Sequence, residues 1–263
     1  MWMPRIKHEC PEGCHCEAAT SYRVLRVDCT RILPDVDKEQ LSHQLDSILS
    51  AYHFVEHLRA LIITNTPLTR VPASVCKLLN LTSLNLDRNK LTELPDCFTK
   101  LTKLVSFSAT NNAITRLQDG LFDGLQCLVN LILYSNHIAF IGLRVFSNSS
   151  DLISLRSVNL GFNRLRSLEP WWYYRCIQGS DRSRVEISLG HNLISYFTNN
   201  LQFNFRCVMK RPYGYLDLHR NRITHITDIL RGWNVTDAAA VGPGGRQHMT
   251  WVEAHTIATV QTF

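Results

Sequence analysis

Short stretches in which apolar and polar residues alternate recur along this chain. Ser83-Leu84-Asn85-Leu86-Asp87, Asn130-Leu131-Ile132-Leu133-Tyr134 and Ser157-Val158-Asn159-Leu160-Gly161 each follow a leucine by two residues and precede an asparagine by two. Period-two alternation predicts half-buried strands. Seven units align on it, beginning at Leu58, Leu81, Leu104, Leu128, Leu155, Arg184 and Tyr213, with spacings of 23, 23, 24, 27, 29 and 29 residues. The inward positions are Leu84 and Leu86, Phe107 and Ala109, Leu131 and Leu133, Val158 and Leu160, Ile187 and Leu189, Leu216 and Leu218. A second apolar row, Val75, Leu78, Phe98, Leu101, Phe122, Leu125 and Phe146, predicts the far side of each unit. The run Trp171-Trp172-Tyr173-Tyr174 stands at the equivalent place in the fifth unit. It reads as core filling, because aromatic rings supply buried area; a membrane-touching or ligand-stacking patch is the alternative. Ahead of the units, Leu41, Leu45, Ile48, Leu49 and Tyr52 fall at helical spacing and predict a helix within 37–58, packed on the convex side of a degenerate opening repeat.

The recurring phrase, L-x-x-L-x-L-x-x-N-x-L, is the leucine-rich repeat pattern. One such unit cannot bury its own apolar face, so neighbours must stack. The predicted fold is an α/β leucine-rich repeat solenoid: a curved parallel sheet on the concave face, short helices and loops on the convex face. Asn89, Asn112, Asn136, Asn163, Asn192 and Asn221 keep a fixed distance from the leucines, and the first unit has Thr66 instead. Such asparagines should be buried as a structural ladder, their amides donating to and accepting from turn backbone. The outward strand positions form the open surface, and from it the expected partner-binding residues are Ile62, Asn85, Asp87, Asn130, Ile132, Tyr134, Asn159, Glu186, Tyr215, Asp217, His219 and Arg220. Phe162 and His191 extend this row at its edge. Aromatic anchors among small polar neighbours suit a protein-binding face; the plainer reading is that these residues merely tolerate solvent.

Before the repeats lies Cys10-Pro-Glu-Gly-Cys14-His-Cys16, then Cys29. Together with the repeats, this spacing resembles the cysteine-rich N-terminal cap of extracellular leucine-rich repeat proteins, the group of Slit, the small leucine-rich proteoglycans, the Nogo receptor and receptor ectodomains. The resemblance covers residues 10–231 and implies the pairs Cys10–Cys16 and Cys14–Cys29. A cap is needed because the first repeat has an unpaired sheet edge and an open apolar end. Zinc held by His8, Cys10, Cys14, His15, Cys16 and Cys29 is the competing reading, though the single residue between Cys14 and Cys16 is shorter than the usual gap. Of the remaining cysteines, Cys76, Cys97, Cys127, Cys176 and Cys207, at least one lacks a partner within the chain. Cys176 and Cys207 are 31 residues apart, close to one local repeat, and Cys127 is expected to be a buried thiol. Sequons at Asn80, Asn148 and Asn234 fit an extracellular or cell-surface address.

The expected organisation is a leader remnant (1–9), the cysteine-rich cap (10–34), a helical opening repeat (35–57), about seven repeats (58–231) and an irregular tail (232–263). The first nine residues hold no signal-peptide core, and no apolar run reaches transmembrane length. With no second cysteine cap after Ile226, the chain reads as an incomplete ectodomain. The net charge of +6 concentrates in residues 155–231, which carry +7 through Arg156, Arg164, Arg166, Arg175, Arg182, Arg184, Arg206, Lys210, Arg211, Arg220, Arg222 and Arg231. A basic half attracts anionic partners such as sulfated glycans. No nucleic-acid motif and no catalytic motif is present, and no cofactor or metal is expected; the histidines are scattered or fall at repeat positions. The function expected is recognition of a protein or anionic glycan along the concave face. An intracellular leucine-rich repeat scaffold without disulfides is the alternative, and the cysteine cap argues against it.

Overall fold

The computed structural model describes residues 10, 14–20, 23–30, 38–50, 56–142, 144–145, 152, 154–168, 186–197, 215–222, 249–253 and 256–260. They form a leucine-rich repeat β-solenoid with a parallel sheet and an N-terminal disulfide-bonded region. The opening strands β1 (His15–Thr20) and β2 (Arg23–Asp28) make an antiparallel hairpin. Helix α1 (Lys38–Leu49) follows, and then the repeat strands β3 (Ala60–Ile62), β4 (Ser83–Asn85) and β5 (Ser106–Ser108). From there strands of the concave sheet alternate with two-residue strands of the opposite side: β6 (Arg116–Leu117), β7 (Asn130–Ile132), β8 (Phe140–Ile141), β9 (Ser157–Asn159), β10 (Ser167–Leu168), β11 (Glu186–Ser188), β12 (Tyr196–Phe197) and β13 (Tyr215–Asp217). Among the described residues the concave sheet has nine strands, in the order β1-β2-β3-β4-β5-β7-β9-β11-β13.

Its register is unstaggered. Leu61 pairs with Leu84, Leu84 with Phe107, Phe107 with Leu131, Leu131 with Val158, Val158 with Ile187, and Ile187 with Leu216. Every described inward side chain is therefore stacked on its counterpart, and the result is one continuous core in which Leu84, Phe107, Leu131 and Leu189 are buried. The convex row closes it: Val75, Leu78, Phe98, Leu101, Phe122 and Leu125 are buried, and Phe98 meets Phe107 edge-on at 5.0 Å. Phe146 and the Trp171–Tyr174 run lie outside the described residues. Leu41, Leu45 and Leu49 bury the inner face of α1, and Asp46 ties the helix to the next unit by accepting the Ser74 amide at 2.7 Å.

At the N-terminal end β2 pairs in parallel with β3, Val27 opposite Leu61, so the hairpin covers the sheet edge. Cys10–Cys16 and Cys14–Cys29 are disulfides, with Cα atoms 5.9 and 4.1 Å apart. Those sulfurs are thereby unavailable to a metal. Burial opposes ionisation of Asp28, but the Thr30 hydroxyl and amide, with Arg26, outweigh it and hold the carboxyl below its ordinary value.

One open pairing is settled and two expectations are corrected. Cys76 and Cys97, left unassigned by their spacing, form a disulfide across the convex turns 73–77 and 96–100, with Cα atoms 5.7 Å apart. Cys127 is an exposed thiol and not a buried one; it directly precedes inward Leu128, and alternation turns it out. Within the segment 232–263, read as irregular, β14 (Met249–Glu253) and β15 (Thr256–Val260) form an antiparallel hairpin with Trp251 opposite Ala258. Cys176 and Cys207 lie outside the described residues.

Candidate functional site

The ladder asparagines are where the sequence places them. All six are buried, between 4% and 8% exposed. The Asn136 amide donates to the carbonyls of Ala109 (2.9 Å) and Leu133 (3.2 Å), and its oxygen accepts from the Ile114 N–H at 3.1 Å. The same three bonds recur at Asn112, with Leu86, Ala109 and Leu91, and at Asn163, Asn192 and Asn221. In the first unit Thr66 donates to the Asn89 oxygen through both its hydroxyl and its amide. This ladder fixes the turn that follows each strand.

Immediately after each concave strand segment the backbone enters the left-handed region. Asn65, Arg88, Asn111, Ser135, Phe162, His191 and Arg220 all have φ between 52° and 57°. Asparagine tolerates this region; a bulky side chain there costs about 1–2 kcal/mol. The geometry is set by the repeat, because the N–H at this position reaches the neighbouring strand: Arg88 to Thr110 at 2.7 Å, Phe162 to Gly190 at 2.9 Å and His191 to His219 at 2.8 Å. Phe162 is consequently held in a disfavoured conformation with 42% of its surface exposed.

Around Phe162 the rings line up along the edge of the concave face. Tyr134 lies 5.0 Å from Phe162, Phe162 stacks on His191 at 3.7 Å with 18° between planes, and His191 meets His219 edge-on at 4.7 Å. Two glycines make room. A Cβ at Gly190 would run into the His219 ring, and one at Gly161 would sit 3.3 Å from Tyr134 Cδ2. At the end of the row His219 Nδ1 contacts the Asp217 carboxylate, which also accepts from Ser188 Oγ at 3.1 Å. Burial first, then the charges of His219 and Arg220, hold the His191 imidazole below its ordinary value, with Asp217 pulling the other way.

The remaining expected binding residues divide. Ile62, Asn130, Ile132 and Glu186 are half-buried on the concave sheet, and Arg220 is exposed at its edge. Tyr215 is placed by its backbone opposite Glu186. Asn85, Asn159 and Asp217 each accept the N–H two residues on, at 2.9, 3.0 and 3.0 Å, so part of their polar capacity holds the strand end. Asp87 bonds the Ser108 hydroxyl and the Thr110 amide, both at 2.6 Å. Phe162 and His191 stand outside the twelve residues expected to bind, yet they are the centre of the ring row. Their signal in the sequence is a bulky ring in a column that otherwise holds Asn65, Arg88, Asn111, Ser135 and Arg220.

Of the basic half, Arg164, Arg166, Arg220 and Arg222 are exposed and Arg156 is half-buried; the other seven basic residues lie outside the described residues, as do Asn148 and Asn234. The Asn80 amide, the atom a glycan would occupy, donates to the Glu56 carbonyl at 2.8 Å, and its oxygen accepts from Lys103 Nζ at 2.6 Å. Among the described residues no helix is long and apolar enough to cross a membrane.

A family model described as leucine rich repeat matches residues 56–114. The fold is that of leucine-rich repeats, with disulfides at its N-terminal end. Among solved structures it is similar to the leucine-rich repeat domain of APL1B, with 22% identity, 73% of this chain and 49% of that one covered, and a TM-score of 0.48. It is also similar to TLR13 in its complex with ssRNA13, with 21% identity, 71% and 24% covered, and a TM-score of 0.50. The chain thus spans about half the length of the first and about a quarter of the second. At such identity the TLR13 likeness carries the fold and not the ligand. No curated protein matches in sequence. Leucine-rich repeat domains are typically non-enzymatic binding modules, and three disulfides point to an oxidising, secretory compartment.

Proposed function

We propose that this chain is an extracellular or cell-surface recognition module that holds a protein partner on its concave face, centred on Tyr134 and Phe162. The observation that supports this most directly is Phe162, a 42% exposed ring in a left-handed backbone position that the first and third units give to asparagine. Strained, exposed aromatics are uneconomical for folding alone and are characteristic of binding sites. The floor beside the row is shallow and polar, with Asn130, Ser157, Asn159 and Ser188 half-buried. Rings supply binding energy there, and amides and hydroxyls supply selectivity.

The test uses Phe162→Asn with Tyr134→Ala against a library of displayed cell-surface ectodomains. Asparagine relieves the backbone while removing the ring, so stability should stay within about 1 kcal/mol of the parent. Binding of a genuine partner should fall at least about tenfold, which is ~1.4 kcal/mol. Undiminished binding moves the site off this face. A second reading, an anionic glycan, draws on Arg164, Arg166, Arg220 and Arg222, all exposed. Heparin retention that is unchanged in Arg220→Gln, Arg222→Gln would remove it.

A further inference from the structure

The ring row contains two imidazoles and one carboxylate. His219 contacts Asp217, whose other carboxylate oxygen accepts from Ser188, and His191 is wedged between Phe162 and the edge of His219; Arg220 follows His219 in the chain. Asp217 is the acidic group acting on His191; the positive groups are His219 and Arg220. When both rings carry a proton, three positive groups face one carboxylate, and only one of them is in contact with it.

We propose that the concave rim is acid-sensitive: protonation of His191 and His219 against the single Asp217 carboxylate parts the two imidazoles and weakens the hold on a protein partner covering Phe162. The inference rests on the reading of the rim as the binding site. Two effects act in the same direction. The His191–His219 edge contact becomes a contact between like charges at 4.7 Å between ring centres. A partner seated over the row must also bury an imidazolium where it had buried a neutral ring, and a buried charge without a partner is far more costly. The Phe162 face attracts a cation, so opening is expected between His191 and His219 and not between Phe162 and His191.

The direction of the His191 shift agrees. Its proton affinity is lower in the folded chain than the ordinary value of 6.5. The unfolded chain therefore binds this proton first, and the stability the neutral ring contributes is present above 6.5 and is lost as pH falls through the folded value. Histidine is the side chain whose charge changes between about pH 5 and 8, so the transition falls in the range that separates a cell surface from an acidified compartment.

Two measurements on the whole chain decide the matter. In the first, ring NMR of His191 and His219 is followed across pH. Expected are a His191 titration below the ordinary range that moves up in His219→Gln, and loss of the His191–His219 proximity in acid while the Phe162–His191 proximity persists. An ordinary His191 titration, unmoved by His219→Gln and with the rings still in contact, would overturn the proposal. In the second, peptides are selected from a random phage-displayed library at about pH 7.4, keeping those that lose binding on Phe162→Asn, and their affinities are compared at about pH 5.5. Expected is a loss of about tenfold in acid, reduced to about twofold or less in His191→Gln. Equal affinity at both pH values overturns the acid switch but leaves the rim reading standing. If no selected peptide responds to Phe162→Asn, the rim reading itself fails, and the switch fails as a control on binding.

Discussion

Replacing Asn136 by alanine probes the ladder at its middle. The side chain is 4% exposed and makes three bonds of 2.9–3.2 Å, to Ala109, Leu133 and Ile114. They are unequal in what their loss leaves behind. The Ala109 carbonyl also accepts from Asn112 at 3.1 Å, and the Leu133 carbonyl from Asn163 at 3.0 Å, so both keep a donor. The Ile114 N–H has the Asn136 oxygen as its acceptor and lies where water does not reach. An orphaned buried donor costs about 1–3 kcal/mol, and the two weakened carbonyls add up to about 1 more, so Asn136→Ala should lose ~2–3 kcal/mol. With a urea slope of about 1–3 kcal/mol/M, the unfolding midpoint should fall by roughly 1 M. Circular dichroism in urea measures this, with Asn130→Ala, half-buried on the concave sheet, as the control that should change by less than about 0.5 kcal/mol. Asn136→Asp should be worse than alanine, because a buried carboxylate would face two carbonyl oxygens. Equal effects of Asn136→Ala and Asn130→Ala, or a well-tolerated aspartate, would refute the ladder argument.

Gly190→Ala should destabilise by about 1–3 kcal/mol through overpacking and should separate His219 from Asp217, because the new Cβ enters the space of the imidazole; a crystal structure with that contact intact would contradict it. Non-reducing peptide mapping of secreted protein should recover Cys10–Cys16, Cys14–Cys29 and Cys76–Cys97, and a thiol reagent should label Cys127 without denaturant. Replacing Cys76 and Cys97 together by serine should lower stability by about 2–4 kcal/mol, since the bridge ties neighbouring convex turns; an unchanged melt would show that those turns are held by packing alone. Hydrogen exchange should protect the paired backbone of Trp251 and Ala258, and exchange at the unstructured rate would remove the hairpin from the fold.

The repeats, their register and the ladder were legible in the sequence because each rests on short-range spacing. An inward leucine every second residue and an asparagine a fixed step beyond it can be satisfied in one way when units stack, so Leu84, Phe107 and Leu131 declare both strand and core. The cap was legible through its resemblance and through its physical need, an open sheet edge at Leu61. What the tertiary structure decided lies between units. Cys76 and Cys97 are 21 residues apart, and no rule of local spacing says that two convex turns bring them together. The Trp251 hairpin pairs strands too short and mixed to show a period. Above all, the ring row depends on which neighbours the unstaggered register sets side by side. Phe162 reads as an extension of the outward row at its edge, with nothing to mark it as the centre until its left-handed backbone and its ring neighbours are seen, and Gly161 and Gly190 read as small outward residues until Tyr134 and His219 occupy the space above them. Local alternation fixes which way a side chain points; only the stacking of one turn on the next decides what it meets there.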